Sequence, residues 1–227
     1  MNKRQEIVYF DRYSRRLERE KIYGEGPLRW AYETAPGRFA LASLIRHRWF
    51  SSLYGRWASS AVSGREIAPF IDRFGVDVTE FADPLESFRT FNDFFSRRLR
   101  PHVRPVDPDP ASAVFPSDGR HLFIPDLSSL DGIYAKGQRF PLEELLQDDV
   151  LVREFAQGSA LLSRLCPVDY HRFHFPLGGV RGESRLINGF LYSVSPVALR
   201  RRIRYLGENK RRVTTVNRSP VGAPAKS

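Results

Sequence analysis

Two of the five histidines in this sequence stand three residues apart, in the stretch DYHRFHFP at residues 169–176. Histidine changes charge near neutral pH, so such a pair can serve as metal ligands, as proton-transfer groups or as hydrogen-bonded core residues. On an extended strand, side chains alternate between faces. That would put His171 with Phe173 on one side and Arg172 with His174 on the other. Both imidazoles meet one site only if the strand bends or ends between them, an end that Pro176 and Gly178-Gly179 would suit. A metal centre needs further ligands of fitting type. Cys166 lies nearby, but neither a CxxC nor an HExxH pattern accompanies it, so no metal is expected. A second candidate is Asp118, in FPSDG at residues 115–119. A short carboxylate before glycine is commonly a turn residue. Beside a histidine it can orient the ring and stabilise its charged form. The separation of 56 positions from Asp118 to His174 leaves open whether the two meet.

Placing these groups falls to the elements around them. Residues 1–20 read as a short extended piece followed by a charged helix or turn. GEGPLRWAYETAPG then holds Trp30 and Tyr32 between Gly and Pro punctuation. Over 38–57, Phe39, Leu41, Leu44, Ile45, Trp49, Leu53 and Tyr54 recur at helical steps, with Arg46 and Arg48 between them. Such a helix either packs on its own domain or lies in a bilayer interface. Residues 63–74 and 88–99 follow the same period. Arg97, Arg98 and Arg100 suit the C-terminal end of the latter, and Pro101 stops it. Five prolines then make a rigid connector. Beyond Asp118 the pieces shorten. HLFI, GIYA, VLVREF, HRFHFP, RLINGFLYSV and RRVTTV read as strands, with Leu142–Leu146 a short helical interruption. The pattern predicts an α+β protein: an N-terminal helical region at 1–100, a Pro-rich connector at 101–117, a β-rich portion at 118–217 and a disordered tail at 218–227.

The composition narrows the functional classes. With 227 residues, 41% apolar, the chain suits one domain with a real core. Its net charge of +10 is uneven, because nine Lys or Arg and a single acid, Glu208, lie from residue 197 onward. A basic surface of this kind meets nucleic acid, anionic lipid or an acidic partner. The single cysteine excludes an internal disulfide framework and fits a reducing compartment. The first 20 residues lack the apolar run of a signal peptide. The longest uncharged run, 14 residues at 186–199, is short of the about 20 that a spanning helix needs. The chain can touch a membrane but is not expected to cross it.

PSDG, CPVDYHRFHFPLGG and NGFLYSVSPVALRRRIRYLGENKRRVTTV occur in that order, preceded by KIYGEGPLRWAYE, WFSSLYG and FRTFNDFFSRRLRPHVRPVD. Together they resemble the phosphatidylserine decarboxylases, from about residue 8 to about residue 217. The resemblance implies a carboxy-lyase of phospholipid biosynthesis that makes phosphatidylethanolamine from phosphatidylserine. It implies a proenzyme that cuts itself at a Gly–Ser bond, the serine becoming a pyruvoyl group. A ketone of that kind forms a Schiff base with the substrate amine and delocalises the carbanion left by CO₂ loss. By the same resemblance Asp118 and His174 match two members of an Asp–His–Ser set, His174 taking the serine proton and Asp118 orienting the ring. His171 matches the histidine linked to decarboxylation, as proton donor or head-group contact. Tyr170 and Phe173 would wall the pocket. The helices before residue 100 would face an anionic membrane, giving a peripheral protein on its cytoplasmic face. A homodimer is a further partner the resemblance admits.

The pattern changes after Val216. A glycine-rich stretch and an LGST-like cleavage motif are due next, but the sequence reads NRSPVGAPAKS. Gly158-Ser159 is the only Gly–Ser pair; it precedes the histidine motif and lacks the LGST-like setting. The expectation is therefore a family fold incomplete at its C-terminus, whose partner is a missing C-terminal α-chain segment. No residue here is expected to become the pyruvoyl group, and these residues alone are not expected to turn over phosphatidylserine. A truncated product, a protein encoded in two pieces and a catalytically inactive lipid-binding remnant all fit. A nucleic-acid binder is set aside: RRRIRYLGENKRR resembles the family's own strand-turn-strand and lacks stacking aromatics.

Overall fold

The structure, a computed structural model, describes residues 6–11, 13–128, 133–135 and 138–218. The tail from 219 onward, read as unstructured, lies outside these residues, as does Gly132 of GIYA. The chain opens with a hairpin, β1 (Val8–Asp11) and β2 (Arg16–Arg19). Helices α1 (Glu25–Glu33), α2 (Ala35–Ala40), α3 (Arg48–Ala58), α4 (Ile67–Phe74) and α5 (Phe91–Phe95) follow. The second half alternates β3 (Arg120–Ile124), β4 (Ile133–Ala135), β5 (Gln138–Phe140), α6 (Leu142–Leu146), α7 (Asp149–Phe155), β6 (Ala160–Arg164) and β7 (Val180–Ile187). It closes with α8 (Pro196–Arg201), α9 (Tyr205–Glu208) and β8 (Arg211–Asn217). This is the expected α+β arrangement, helix-rich before residue 91 and sheet-containing after it. The described strands form four antiparallel pairs, β1–β2, β3–β6, β4–β5 and β7–β8, the last with a register shift between Arg181 and Ser184.

Two of the three buried clusters among the described residues organise the elements around the site. Phe70, Phe81, Phe91 and Phe94 are buried together with Ile67, and Tyr23, Phe74, Phe88 and Phe95 pack around them. Edge-to-face contacts such as Phe70–Phe94, 5.6 Å between centroids, fit the electrostatics of aromatic rings. The buried Ser63 hydroxyl accepts from the Phe91 N–H at 2.9 Å and donates to the Ala58 carbonyl at 2.8 Å, tying α5 to the turn before α4. The second core joins distant parts of the sequence: Ile7, Ile22, Tyr32 and Leu41 pack with Val197, Ala198 and Tyr205. The Tyr32 hydroxyl there accepts from the Ser193 N–H at 2.8 Å.

Several local expectations are corrected. The helix expected over 38–57 is broken. A π turn, Leu41–Ile45, follows α2, and His47 is extended (φ −88°, ψ 150°) before α3 begins. The cause is tertiary: the Arg46 carbonyl accepts from Leu191 N–H at 3.0 Å, while its guanidinium lies 4.0 Å from the Phe190 ring centroid and donates to the Tyr192 hydroxyl. The helix expected over 88–99 shrinks to α5. A Thr90–Asp93 capping box starts it, and after Ser96 the chain turns back so that Phe81 and Leu99 pair. Arg97 still reaches the last turn of α5, donating to the Phe94 carbonyl at 3.4 Å, but it is buried and donates to the Val168 carbonyl at 3.1 Å as well. VLVREF is the helix α7 and not a strand, because Asp148 caps it by accepting from the N–H groups of Val150 and Leu151. The charged piece after the first extended stretch is β2. HRFHFP is an irregular segment, tied to 114–116 by two hydrogen bonds, Val114 N–H to Pro176 O and His174 N–H to Pro116 O, each 2.9 Å. Pro116 and Pro176 lack the N–H groups that would extend the ladder.

Candidate active site

Asp118 sits in the turn that delivers the Pro-rich connector to β3. Gly119 has φ 131°, and a Cβ there would stand 2.5 Å from the Arg164 carbonyl oxygen, so the turn admits only glycine. Arg104 Nε donates to both Asp118 carboxylate oxygens, at 2.9 and 3.0 Å. Its Nη1 and Nη2 reach Glu80 at 3.2 and 3.3 Å. One guanidinium therefore gathers two carboxylates at the mouth of the turn.

His171 has a built seat. The Cys166 N–H donates to Asp169 Oδ2 at 2.6 Å, and the Asp169 N–H donates to the Cys166 carbonyl at 3.0 Å, closing a short turn. The same carbonyl lies 3.0 Å from His171 Nε2. A carbonyl oxygen only accepts, so Nε2 carries the proton and a neutral ring keeps its lone pair on Nδ1. Phe95 of α5 stacks on the imidazole, 3.8 Å between centroids at 26°. Burial pulls the His171 pKa below its ordinary value, with the Cys166 carbonyl and Asp169 opposing that shift.

His174 is arranged differently. Its bond to Pro116 brings its backbone beside the Asp118 turn, but its side chain is exposed. Among the described residues no hydrogen bond joins it to Asp118, whose carboxylate faces Arg104 instead. Tyr170 borders a recess of about 270 Å³ shared with Arg97, Arg104, Glu80 and Val168. Phe173 is 79% exposed.

A larger cavity, about 530 Å³, opens beside His171. Leu122, Leu162, Leu199 and Ile203 make its apolar wall, and His121, Ser163 and His171 its polar side. His121 faces Ser163 across the β3–β6 ladder, Nδ1 to Oγ 2.9 Å, with Phe115 over its ring at 4.3 Å. Burial lowers the His121 pKa as well. Arg104 and His121 were not singled out from the sequence, and Phe95 was read only as part of the apolar stripe of 88–99. For His121 a signal was present, a histidine three residues after Asp118 at the start of an alternating strand.

Three further features bear on chemistry. Ser159 lies at the Ile124–Ala160 end of the β3–β6 ladder, opposite the Arg120–Arg164 end where Asp118 enters. Its hydroxyl donates to the Pro125 carbonyl at 2.5 Å. The basic tail is partly internal: Arg211 donates to the carbonyls of Leu145, Glu144, Gly207 and Asn209, Arg204 pairs with Glu144, and Arg202 with Glu208. Along α2 and α3, Phe39, Trp49, Leu53 and Tyr54 are exposed beside exposed Arg38, Arg48 and Arg56. No described helix is long and apolar enough to cross a membrane. Among the described residues no group of three or more His, Cys, Asp or Glu is placed to hold a metal.

The model of the family described as phosphatidylserine decarboxylase matches residues 91–224. The phosphatidylserine decarboxylase proenzyme of Chlamydia muridarum is 37% identical over 218 residues, covering 96% of this chain and 72% of that protein. The corresponding proenzyme of Fusobacterium nucleatum is 34% identical over 218 residues, covering 96% and 73%. That of Desulfitobacterium hafniense is 38% identical over 205 residues, covering 90% and 69%.

Proposed function

The chain belongs to the phosphatidylserine decarboxylase family, and on that premise we propose that its second half forms the head-group side of a phosphatidylserine site in which His171 handles the proton. The reading is carried by the seat of His171, at once stacked on Phe95, held by a backbone carbonyl and facing a cavity with apolar walls. Loss of CO₂ from an amino acid leaves a carbanion that a positioned acid must protonate. An imidazole whose Nε2 proton is committed to Cys166 takes up and releases protons at Nδ1. Burial keeps it neutral near pH 7, so a proton taken up at Nδ1 is readily given back. Tyr170 and Phe173 are assigned to the pocket wall. Asp118 and His174 are assigned to self-cleavage, the exposed imidazole meeting a serine hydroxyl and Asp118 orienting it once released from Arg104.

Pyruvoyl-dependent catalysis is a feature of the family, the group supplying the electron sink. The Gly–Ser pair present here does not fit that role. It stands a full strand from Asp118, roughly 15 Å at the usual rise per residue, with its hydroxyl engaged by Pro125. No step is derived through the group. These features support the reading that the 227 residues need a further segment, such as an α chain, before they turn over substrate. The test is CO₂ release from carboxyl-labelled phosphatidylserine by the purified chain. We expect no release above a boiled control; clear turnover would overturn this reading.

A second reading, peripheral lipid binding without catalysis, draws on the exposed aromatic and arginine face of α2 and α3. Anionic lipid is concentrated in the cytoplasmic leaflet, and attraction to it falls with salt. Flotation with phosphatidylserine-containing vesicles should exceed flotation with neutral ones and weaken with added salt. Equal binding to both at every salt concentration would remove the electrostatic contribution.

A further inference from the structure

Cys166 has every polar group engaged. Its N–H donates to Asp169, its carbonyl receives Asp169 N–H and His171 Nε2, and its thiol donates to Glu20 Oε1 at 3.3 Å. Glu20 follows β2, and its side chain is 7% exposed. Arg164 Nη2 lies 2.9 and 2.7 Å from its two oxygens. The carboxylate is thus held by a cation, the Glu20 backbone by its N–H bond to Ile7 O at 2.8 Å, and Oε1 accepts from the thiol as well as from Arg164. Burial pushes the thiol pKa up to about 12. Cys166 therefore remains an S–H donor, in contrast to the partly exposed, electropositive settings that make a cysteine reactive. A thiol is a weak donor, but an ionised acceptor strengthens the bond. In this way the N-terminal hairpin reaches across 146 positions to the turn that seats His171.

We propose that Glu20 is a positioning residue for His171: acting through the Cys166 thiol, it fixes the carbonyl that holds the Nε2 proton and so makes Nδ1 the ring nitrogen that exchanges with substrate. The proposal rests on the reading of His171 as the proton-handling group. It differs from a purely structural role because it specifies one tautomer and one slowly exchanging proton.

The test uses the 227-residue protein with ¹⁵N-labelled histidine. The parent should show a slowly exchanging His171 Nε2 proton and a lone-pair Nδ1. Cys166→Ala removes the donor and leaves the Glu20–Arg164 pair intact; the Nε2 proton should then exchange about tenfold faster. Cys166→Ser, whose hydroxyl donates to the same carboxylate, should restore the parental rate. Glu20→Ala should match Cys166→Ala, and the double variant should add nothing. An unchanged exchange rate in folded Cys166→Ala overturns the proposal, as does an Nδ1–H tautomer in the parent. Should Glu20→Ala fail to fold around a stranded Arg164, the two Cys166 variants decide alone. The spectrum reports the ring and not the reaction, so failure of the catalytic reading would appear in turnover while this result stood.

Discussion

Residues 61–99 and residues 118–217 use apolar side chains in opposite ways. In the first region Phe70, Phe81, Phe88 and Phe91 all meet Phe94, which is fully buried. In the second, the described strands stop at pairs, and the β3–β6 ladder leaves Phe123 61% exposed and Leu122 40% exposed. The aromatic region is packed mainly on itself, with Tyr23 and Val168 added from outside. The β region carries the candidate chemistry, and its histidines depend on elements outside it: Phe95 from α5 holds His171, and Arg104 from the connector holds Asp118. The aromatic cluster lies mostly in one region and the candidate chemistry in the other, with a few long-range contacts joining them.

The sharpest way to break this contrast is to truncate one ring in each region. Phe94→Ala should cost about 3–5 kcal/mol in urea unfolding, the usual loss for a buried aromatic. Phe123→Ala should stay within about 0.5 kcal/mol, as a surface change does. Equal losses would show that the exposed strand face is covered in solution. Ser63→Ala should come next, at about 1–3 kcal/mol, since it strands the buried Phe91 N–H.

A gentler test uses pH. Burial lowers the pKa of both His121 and His171, so the unfolded chain binds their protons more readily than the folded one. Their neutral forms fit the fold above the ordinary histidine value of about 6.5, and stability is lost as pH falls through and below it. Urea midpoints should therefore decline from pH 8 to pH 6. His121→Asn should shallow the decline, while Ser63→Ala should lower every midpoint alike. A flat parental profile would show that the two rings are solvated in both states.

What the sequence disclosed follows the same division. The stripe Phe88, Phe91, Phe94 and Phe95 was legible because a local period generates it, although the capping box shortened the helix. HLFI and RRVTTV were legible as strands for the same reason. VLVREF misled because β-branched residues mask a helix whose only announcement is Asp148. At the site, His171, His174 and Asp118 could be singled out by motif. Glu20 and Arg104 could not, because each acquires its role from a partner that only the fold supplies, Cys166 for Glu20 and Asp118 for Arg104; His121 was offered by its strand position, but its partner Ser163 is 42 positions away.

The second core has a consequence for synthesis. The cluster of Ile7, Ile22, Tyr32 and Leu41 is completed by Val197, Ala198 and Tyr205, so the first elements off the ribosome must wait for nearly the last. At about 5–20 residues per second, that delay is roughly 10–40 s. For that interval Ile7, Ile22 and Tyr32 are unpaired apolar side chains on a nascent chain, while residues 61–99 have already emerged and can close around Phe94. Slowing translation between codons 99 and 197 should lengthen the exposure of the amino-terminal segment to chaperones, and leave the burial of Phe94 untouched.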